Sequence, residues 1–369
     1  MMYIGSYTQP PSRGIYCCRF DPATGEAAGP VQLAAETENP SFIVIHPNRR
    51  FLYAANEISS YAGDSAGSIS AFAIDAVSGR LKLLNKVSSK GAGPCHIAID
   101  KSGKWLFAAN YDGGSVAAFP VHDDFSLGEA AAFVQHQGSS ANLERQSAPH
   151  PHAVTPSPDN RFVMVADLGL DRIFSYRLDP VARGLSPTNP PFAKVAPGSG
   201  PRHLAFKPDG RFVYAINEML STVTAFRYDA AKGLLQELQT ISTLPSGYSG
   251  GNSAAEILVE AGGRFLYASN RGHDSIAIFQ IDGAKGTLTA AGHASTLGRT
   301  PRHFAIDPTG RYLVVANQDS NGAVVFRIDP TSGGLTPTGT TLRVPFPVCI
   351  AFAGLPQRPR TSQAGEFQF

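Results

Sequence analysis

One motif recurs six times along the chain and constrains its fold more than any other feature. SFIVIHPNRRFLYAANE starts at Ser41, CHIAIDKSGKWLFAANY at Cys95 and HAVTPSPDNRFVMVADL at His152. RHLAFKPDGRFVYAINE starts at Arg202, AEILVEAGGRFLYASNR at Ala255 and RHFAIDPTGRYLVVANQ at Arg302. Successive starts differ by 54, 57, 50, 53 and 47 residues. A period near 50 with two short apolar runs per unit is the mark of a β repeat rather than a helical one. In each unit a run alternating at period two meets a PDG-type turn and a second run such as RFVYAIN. A third run follows, as in TVTAFRYD from Thr222, then an Asp-x-x-x-Gly turn (Asp229 to Gly233, Asp282 to Gly286) and a fourth. The turn of this class from Asp179 to Gly184 carries one extra residue.

Four antiparallel strands per unit predict the blade of a β-propeller. A seventh copy is split. PVCIAFAG near the C-terminus resembles the first half of the unit and MYIGSYT at the N-terminus the second. The expectation is therefore an all-β, seven-bladed propeller whose terminal strands share one blade and close the ring. It occupies 1–355 as a single domain, with an insertion over 122–149 and a tail over 356–369. Composition agrees. With 37 Gly, 28 Pro, 43% hydrophobic and only 16% charged residues, the chain has too many breakers for a coiled coil and too much apolar content for disorder.

Other classes are excluded in turn. The net charge of +2 comes without a basic stripe, so nucleic acid is not expected as a partner. Cys17, Cys18, Cys95 and Cys349 form no CxxC pair and read as buried free thiols. The opening MMYIGSYTQ has no basic n-region, and no apolar stretch approaches a membrane span. The expectation is a soluble, cytoplasmic protein, monomeric or weakly homo-oligomeric, without membrane contact or cofactor.

Propeller geometry brings distant residues together. If the first strand runs down the channel and the second returns, residues opening strand one share a face with those ending strand two. Cys95, His96, His152, Arg202, His203, Arg302 and His303 open first strands, while Glu57, Tyr111, Glu218, Arg271 and Gln318 end second strands. Arginine forks fit carboxylate or phosphate, and a His beside a Glu can move a proton near neutral pH. No GxSxG, HExxH or Cys/His cluster occurs, which favours acid-base chemistry on a small anion over covalent or metal catalysis. Each residue has a plainer alternative. His150 and His152 could hold a metal or merely shape the channel. Arg202 and Arg302 could brace blades, and Glu218 could neutralise an arginine. Asp167, Asp171, His273 and Asp274 suit turns, and Trp105 suits the core.

The segments APHPHAV from Ala148, VADLGLDRI from Val165, GPRHLAF from Gly200, NSAAEI from Asn252 and SNRGHDSIAIF from Ser269 resemble the seven-bladed lactonase family. That family contains the propeller-type 6-phosphogluconolactonases and the fungal 3-carboxy-cis,cis-muconate lactonising enzyme. The resemblance spans about residues 2–354. It implies a catalytic group of His152, Arg202, Glu218 and Arg271, with His150, His203, Arg302 and His303 as further candidates for binding substrate. The implied substrate is a small-molecule lactone, opened by water without a metal. A carboxymuconate-type ring closure and a non-catalytic binding propeller are the alternatives. Lys194, Arg299 and Arg302 are possible extra cations for a phosphate.

Overall fold

The computed structural model describes residues 1–179 and 184–354. The expected tail over 356–369 and the extra residue of the Asp179–Gly184 turn lie outside the described residues. Seven four-stranded antiparallel sheets stand around one axis. The first contains Met2–Ser6, Gly14–Asp21 and Glu26–Glu36, with Pro347–Phe352 as its innermost strand. The other six begin with the inner strands Pro40–Ile45, Pro94–Ile99, Pro151–Pro156, Pro201–Phe206, Ser253–Val259 and Pro301–Ile306. The terminal blade is paired from Met2 opposite Phe352 to Gly5 opposite Cys349. Each inner strand touches the next all the way round, so the ring is closed. Among the described residues no helix is long and apolar enough to cross a membrane.

The second strands explain the apolar runs. Phe51–Asn56, Trp105–Asn110, Phe162–Asp167, Phe212–Asn217 and Tyr312–Asn317 are buried at every residue. Each blade is sandwiched between two others, so both faces of its second strand leave water. Phe212, Tyr214 and Ile216, for example, pack against Leu266, Ala268 and Phe279 of the next blade. Each large side chain buried this way contributes about 1.5–3 kcal/mol. All four cysteines are free and buried, and Trp105 is in the core.

The Asp-x-x-x-Gly turns latch neighbouring blades. Asp282 accepts the amides of Ala284 and Lys285 at 2.9 Å each. This curls the turn until Gly286 sits at φ +76°, with the Phe212 ring 2.2 Å from where a Cβ would lie. Tyr214 then donates to the Gly286 carbonyl at 3.1 Å. Tyr267 and Gly333 repeat the bond at 2.9 Å.

The inner strands depart from the simple alternation expected of them. Each carries one extra residue against its partner. Pro151 pairs with Asp167 and Ala153 with Ala166, leaving His152 over. Arg202 and Arg302 are left over in the same way between Pro201 and His203 and between Pro301 and His303. Ser41, Cys95 and Val348 occupy the same position in three further blades. Such a bulge bends the strand and re-aims a side chain.

Second strands also end one residue earlier than expected in four blades, at Asn56, Asn110, Asn217 and Asn317. These asparagines are buried. Asn110 and Asn317 donate to the carbonyls of Ser89 and Thr296 at 3.0 Å each. That anchor fixes where the following residue, Tyr111 or Gln318, leaves the sheet.

Candidate active site

Three of the bulged residues and four residues at the ends of second strands meet at one end of the hub, in a cavity of about 410 Å³. His152, Arg302 and Cys95 reach it from inner strands. Glu57, Tyr111, Glu218 and Arg271 reach it from the ends of second strands. Tyr7, Arg145 and Ser253 complete the wall. A second cavity, of about 560 Å³, lies lower in the channel beside the turn at Asp307–Gly310. Its lining sets Glu260, His303, Asp307 and Thr309 among apolar residues and gathers no arginine. Size alone would choose the second cavity, but the chemistry is concentrated in the first.

Glu218 is the node of the upper cavity. Its Oε2 accepts from Arg202 Nε at 3.0 Å and lies 2.9 Å from Arg271 Nη2. Its Oε1 accepts from Arg145 Nη2 at 2.9 Å. Burial pushes this carboxyl up, but Arg271, Arg202 and Arg145 outweigh it and hold it at about 2. Glu218 is therefore a fixed anion that orients three guanidiniums. Arg271 also donates to Ser253 Oγ at 2.8 Å and to the Ala254 carbonyl at 3.1 Å. Burial lowers it to about 10, with Glu218 opposing.

Arg202 does not line the cavity. It lies behind Glu218, 2% exposed, and its Nη1 donates to the Ala255 carbonyl at 2.8 Å and to His203 Nε2 at 3.2 Å. His152 does line it. Burial, then Arg202, His203 and Arg302, keep its imidazole well below the usual histidine range, so it is neutral at pH 7. Its Nδ1 is buried without a hydrogen-bond partner. Tyr111 meets the ring edge-on at 5.5 Å between centroids.

His150, His203 and His303 are not on the wall of this cavity. His150 stacks on Tyr111 at 4.4 Å and bonds its carbonyl through Nδ1 at 2.9 Å. It props the wall from behind. His203 and His303 follow the bulge, which turns them one layer deeper. His203 Nε2 accepts from Arg202, so its Nδ1 carries the proton and donates to Glu256 Oε2 at 3.0 Å. His303 Nδ1 accepts the Ile350 amide at 3.2 Å, which leaves Nε2 protonated and 3.3 Å from the same oxygen. Phe42 fills the space between His96, at 4.1 Å, and His303, at 5.5 Å. Burial lowers the pKa of His96, His203 and His303, the last to about 4, and raises that of Glu256. This layer is the packed floor of the site. Among the described residues no group of three or more His, Cys, Asp or Glu is arranged to hold a metal ion.

Arg145 had no signal in the repeat, because it belongs to the insertion over 122–149. The insertion first supplies Ala132–Gln135 as an outer strand and then crosses the mouth. His136 is pinned between Asp167 Oδ2 at 2.6 Å and Tyr176 Oη at 2.8 Å. Ser140 donates to Asp171 at 2.5 Å, and Gln146 to the Leu168 carbonyl at 2.8 Å. Asp167 and Asp171 thus hold the crossing segment as well as their own turn. Tyr7 and Ser253 were also missed. Neither breaks the repeat in a way that marks it. Of the extra cations considered, Arg302 reaches the cavity and Lys194 and Arg299 do not.

Known proteins resemble this chain over nearly its whole length. Residues 1–352 match the family model described as "Lactonase, 7-bladed beta-propeller". The chain is 35% identical over 350 residues to 6-phosphogluconolactonase of Bacillus subtilis, covering 95% of this chain and 97% of that protein. The structure of the Pseudomonas aeruginosa periplasmic gluconolactonase superposes with a TM-score of 0.90 at 37% identity, over 96% of this chain and 99% of the other. A putative 6-phosphogluconolactonase of Bacteroides fragilis gives 0.88 at 39% identity, over 95% and 96%.

Proposed function

The chain belongs to the seven-bladed β-propeller lactonase family, and from that premise we propose that it hydrolyses an anionic sugar lactone, 6-phosphogluconolactone first, in the cavity at the arginine-lined end of the hub and without a metal. The observation that carries this reading is a neutral imidazole, His152, sharing that cavity with Arg271 and the arginine-clamped Glu218. With its proton on Nδ1, His152 takes a proton from water at Nε2. The hydroxide adds to the lactone carbonyl carbon. The oxyanion that develops is met by the Arg271 guanidinium, a preorganised donor of the kind that stabilises such intermediates. Collapse restores the carbonyl and breaks the ring C–O bond. The imidazolium returns its proton to the ring oxygen, which leaves as a hydroxyl, and the new acid ionises to carboxylate. Glu218 moves no proton. Arg202 is a positioning residue, because it touches Glu218 rather than the open cavity.

The test is proton release in a pH-stat over a panel of 6-phosphogluconolactone, glucono-1,5-lactone and a carboxymuconolactone, with and without a chelator. Acceleration of a sugar lactone at least about 100-fold above spontaneous opening is expected, within the range general-base catalysis supplies, and the chelator should leave it unchanged. No acceleration on any member overturns the reading. Chelator-sensitive turnover removes its metal-free part.

A further inference from the structure

Arg302 differs from the other arginines around the cavity. Arg202 and Arg271 each bond Glu218 and a main-chain carbonyl, and Arg145 bonds Glu218 and Tyr111. Arg302, by contrast, has neither a hydrogen bond nor an ion pair among the described residues. Its guanidinium lies over the Tyr7 ring, 5.3 Å from the centroid, which holds the plane of the fork and uses none of its five N–H donors. Glu57 and Glu218 favour its charged form from a distance but pair with other groups. Glu57 Oε2 is engaged by Tyr7 Oη at 3.1 Å, and no Glu57–Arg302 pair lies within 4 Å.

Charge points the same way. The cavity wall holds the guanidiniums of Arg145, Arg271 and Arg302 against the carboxylates of Glu57 and Glu218. With both carboxylates ionised, one positive charge is left over. Uncompensated charge in a confined site is costly unless a ligand supplies the counterion. Glu218 already has three partners, so the surplus belongs to the Arg302 side and to the half-exposed Arg145 at the mouth.

We propose that Arg302 anchors a phosphate monoester dianion on the substrate, with Arg145, delivered by the 122–149 insertion, as the second arm at the mouth. This subsite is separate from the reacting pole at His152 and Arg271. It makes the site selective for a phosphorylated sugar lactone over the neutral sugar lactone and over a dicarboxylate. A planar fork matches two oxygens of one phosphate, which a lysine or a single carboxylate partner does not reproduce. Glu57, turned toward Tyr7, is left to accept from a sugar hydroxyl. The inference rests on the lactonase reading, but its test does not need turnover.

The experiment is calorimetric binding of three open-chain acids, gluconate, glucarate and 6-phosphogluconate, to the wild-type chain and to Arg302→Gln, Arg302→Lys and Arg145→Gln. It is paired with kcat/KM on the phosphorylated and unphosphorylated lactones. Wild type should bind 6-phosphogluconate at least about 30-fold more tightly than gluconate or glucarate, the scale of a charge-assisted bidentate contact. Arg302→Gln should abolish that preference and lower the kcat/KM ratio of phosphorylated to unphosphorylated lactone by the same factor. Arg302→Lys should restore part of it, and Arg145→Gln should lower it less. Glucarate binding as tightly as 6-phosphogluconate overturns the phosphate assignment. A ratio unmoved in Arg302→Gln and Arg302→Lys overturns the role of Arg302. If Arg302→Gln fails to fold, the lysine variant alone decides. Tight 6-phosphogluconate binding with no hydrolysis of any lactone would sink the hydrolase reading and leave this subsite standing.

Discussion

Arg302 and His303 are consecutive in the chain and meet opposite surroundings. Arg302, the bulged residue, faces the upper cavity with its donors unused. His303, the next residue, is turned into the layer below, where Ile350 and Glu256 engage both of its nitrogens. Arg202 is bulged in the same way but stays behind Glu218, and His203 after it lies in the lower layer. The upper layer is charged and opens on the cavity, and the lower is buried, neutral at its histidines and packed on Phe42. Similar residue types therefore do different work according to which side of one extra backbone residue they fall. Upper-layer changes should alter turnover and spare the fold, and lower-layer changes should do the reverse.

The sharpest attack on that division is at His152. His152→Ala should lower kcat/KM by about 10³, within the range for loss of a general base, and leave the melting temperature nearly unchanged. A variant that melts early with turnover intact would move His152 into the structural layer. Arg271→Ala should cost about 10²-fold, as removal of one oxyanion donor does, and steady-state kinetics on glucono-1,5-lactone reads it without the phosphate.

Glu256→Leu probes the lower layer. It strands the Nδ1–H of His203, at about 1–3 kcal/mol for a buried donor left unpaired, and removes the carboxylate 3.3 Å from His303 Nε2. Its main effect should be a lower unfolding midpoint in denaturant. Turnover should fall only about 10-fold, through the slackened His203–Arg202 contact. A variant as inactive as His152→Ala but as stable as wild type would merge the two layers.

The smallest effect is on pH. His96, His152, His203 and His303 all titrate lower in the folded chain than in the unfolded one. Below about pH 6.5 the unfolded chain therefore takes up protons that the folded chain refuses. The stability these groups contribute is complete above pH 6.5. It declines as pH falls toward about 4, where His303 titrates, by at most about 1.4 kcal/mol per pH unit per group. Calorimetry at constant ionic strength should give a lower melting temperature at pH 5 than at pH 7.5. A flat profile would mean that these rings are hydrated.

Much of this was legible in the sequence, because the information was repeated. Six copies of one strand-turn-strand unit and a split seventh were enough to give the ring and its closure. The ring in turn placed His152, Glu218, Arg271 and Arg302 at one mouth. The division into layers was not legible. PRH reads as a strand opening whether or not its second residue is extra, and the bulge becomes visible only in the pairing of Pro201 with Asn217 and His203 with Ile216. His203 and His303 were accordingly expected to bind substrate, and the structure sets them off the wall of the upper cavity. Arg145 was hidden for a different reason. It lies in the one long segment that obeys no repeat, and its position depends on Asp167, Asp171 and Leu168 of the following blade.

A crystal structure of the chain with 6-phosphogluconate would test the account most directly, since the ligand can enter the upper cavity or the larger one below it. The account predicts the sugar acid in the upper one, its carboxylate beside Arg271 and His152 and its phosphorus at Arg302. Density for the ligand in the lower channel beside Asp307–Gly310, or on the outside of the blades, would contradict it.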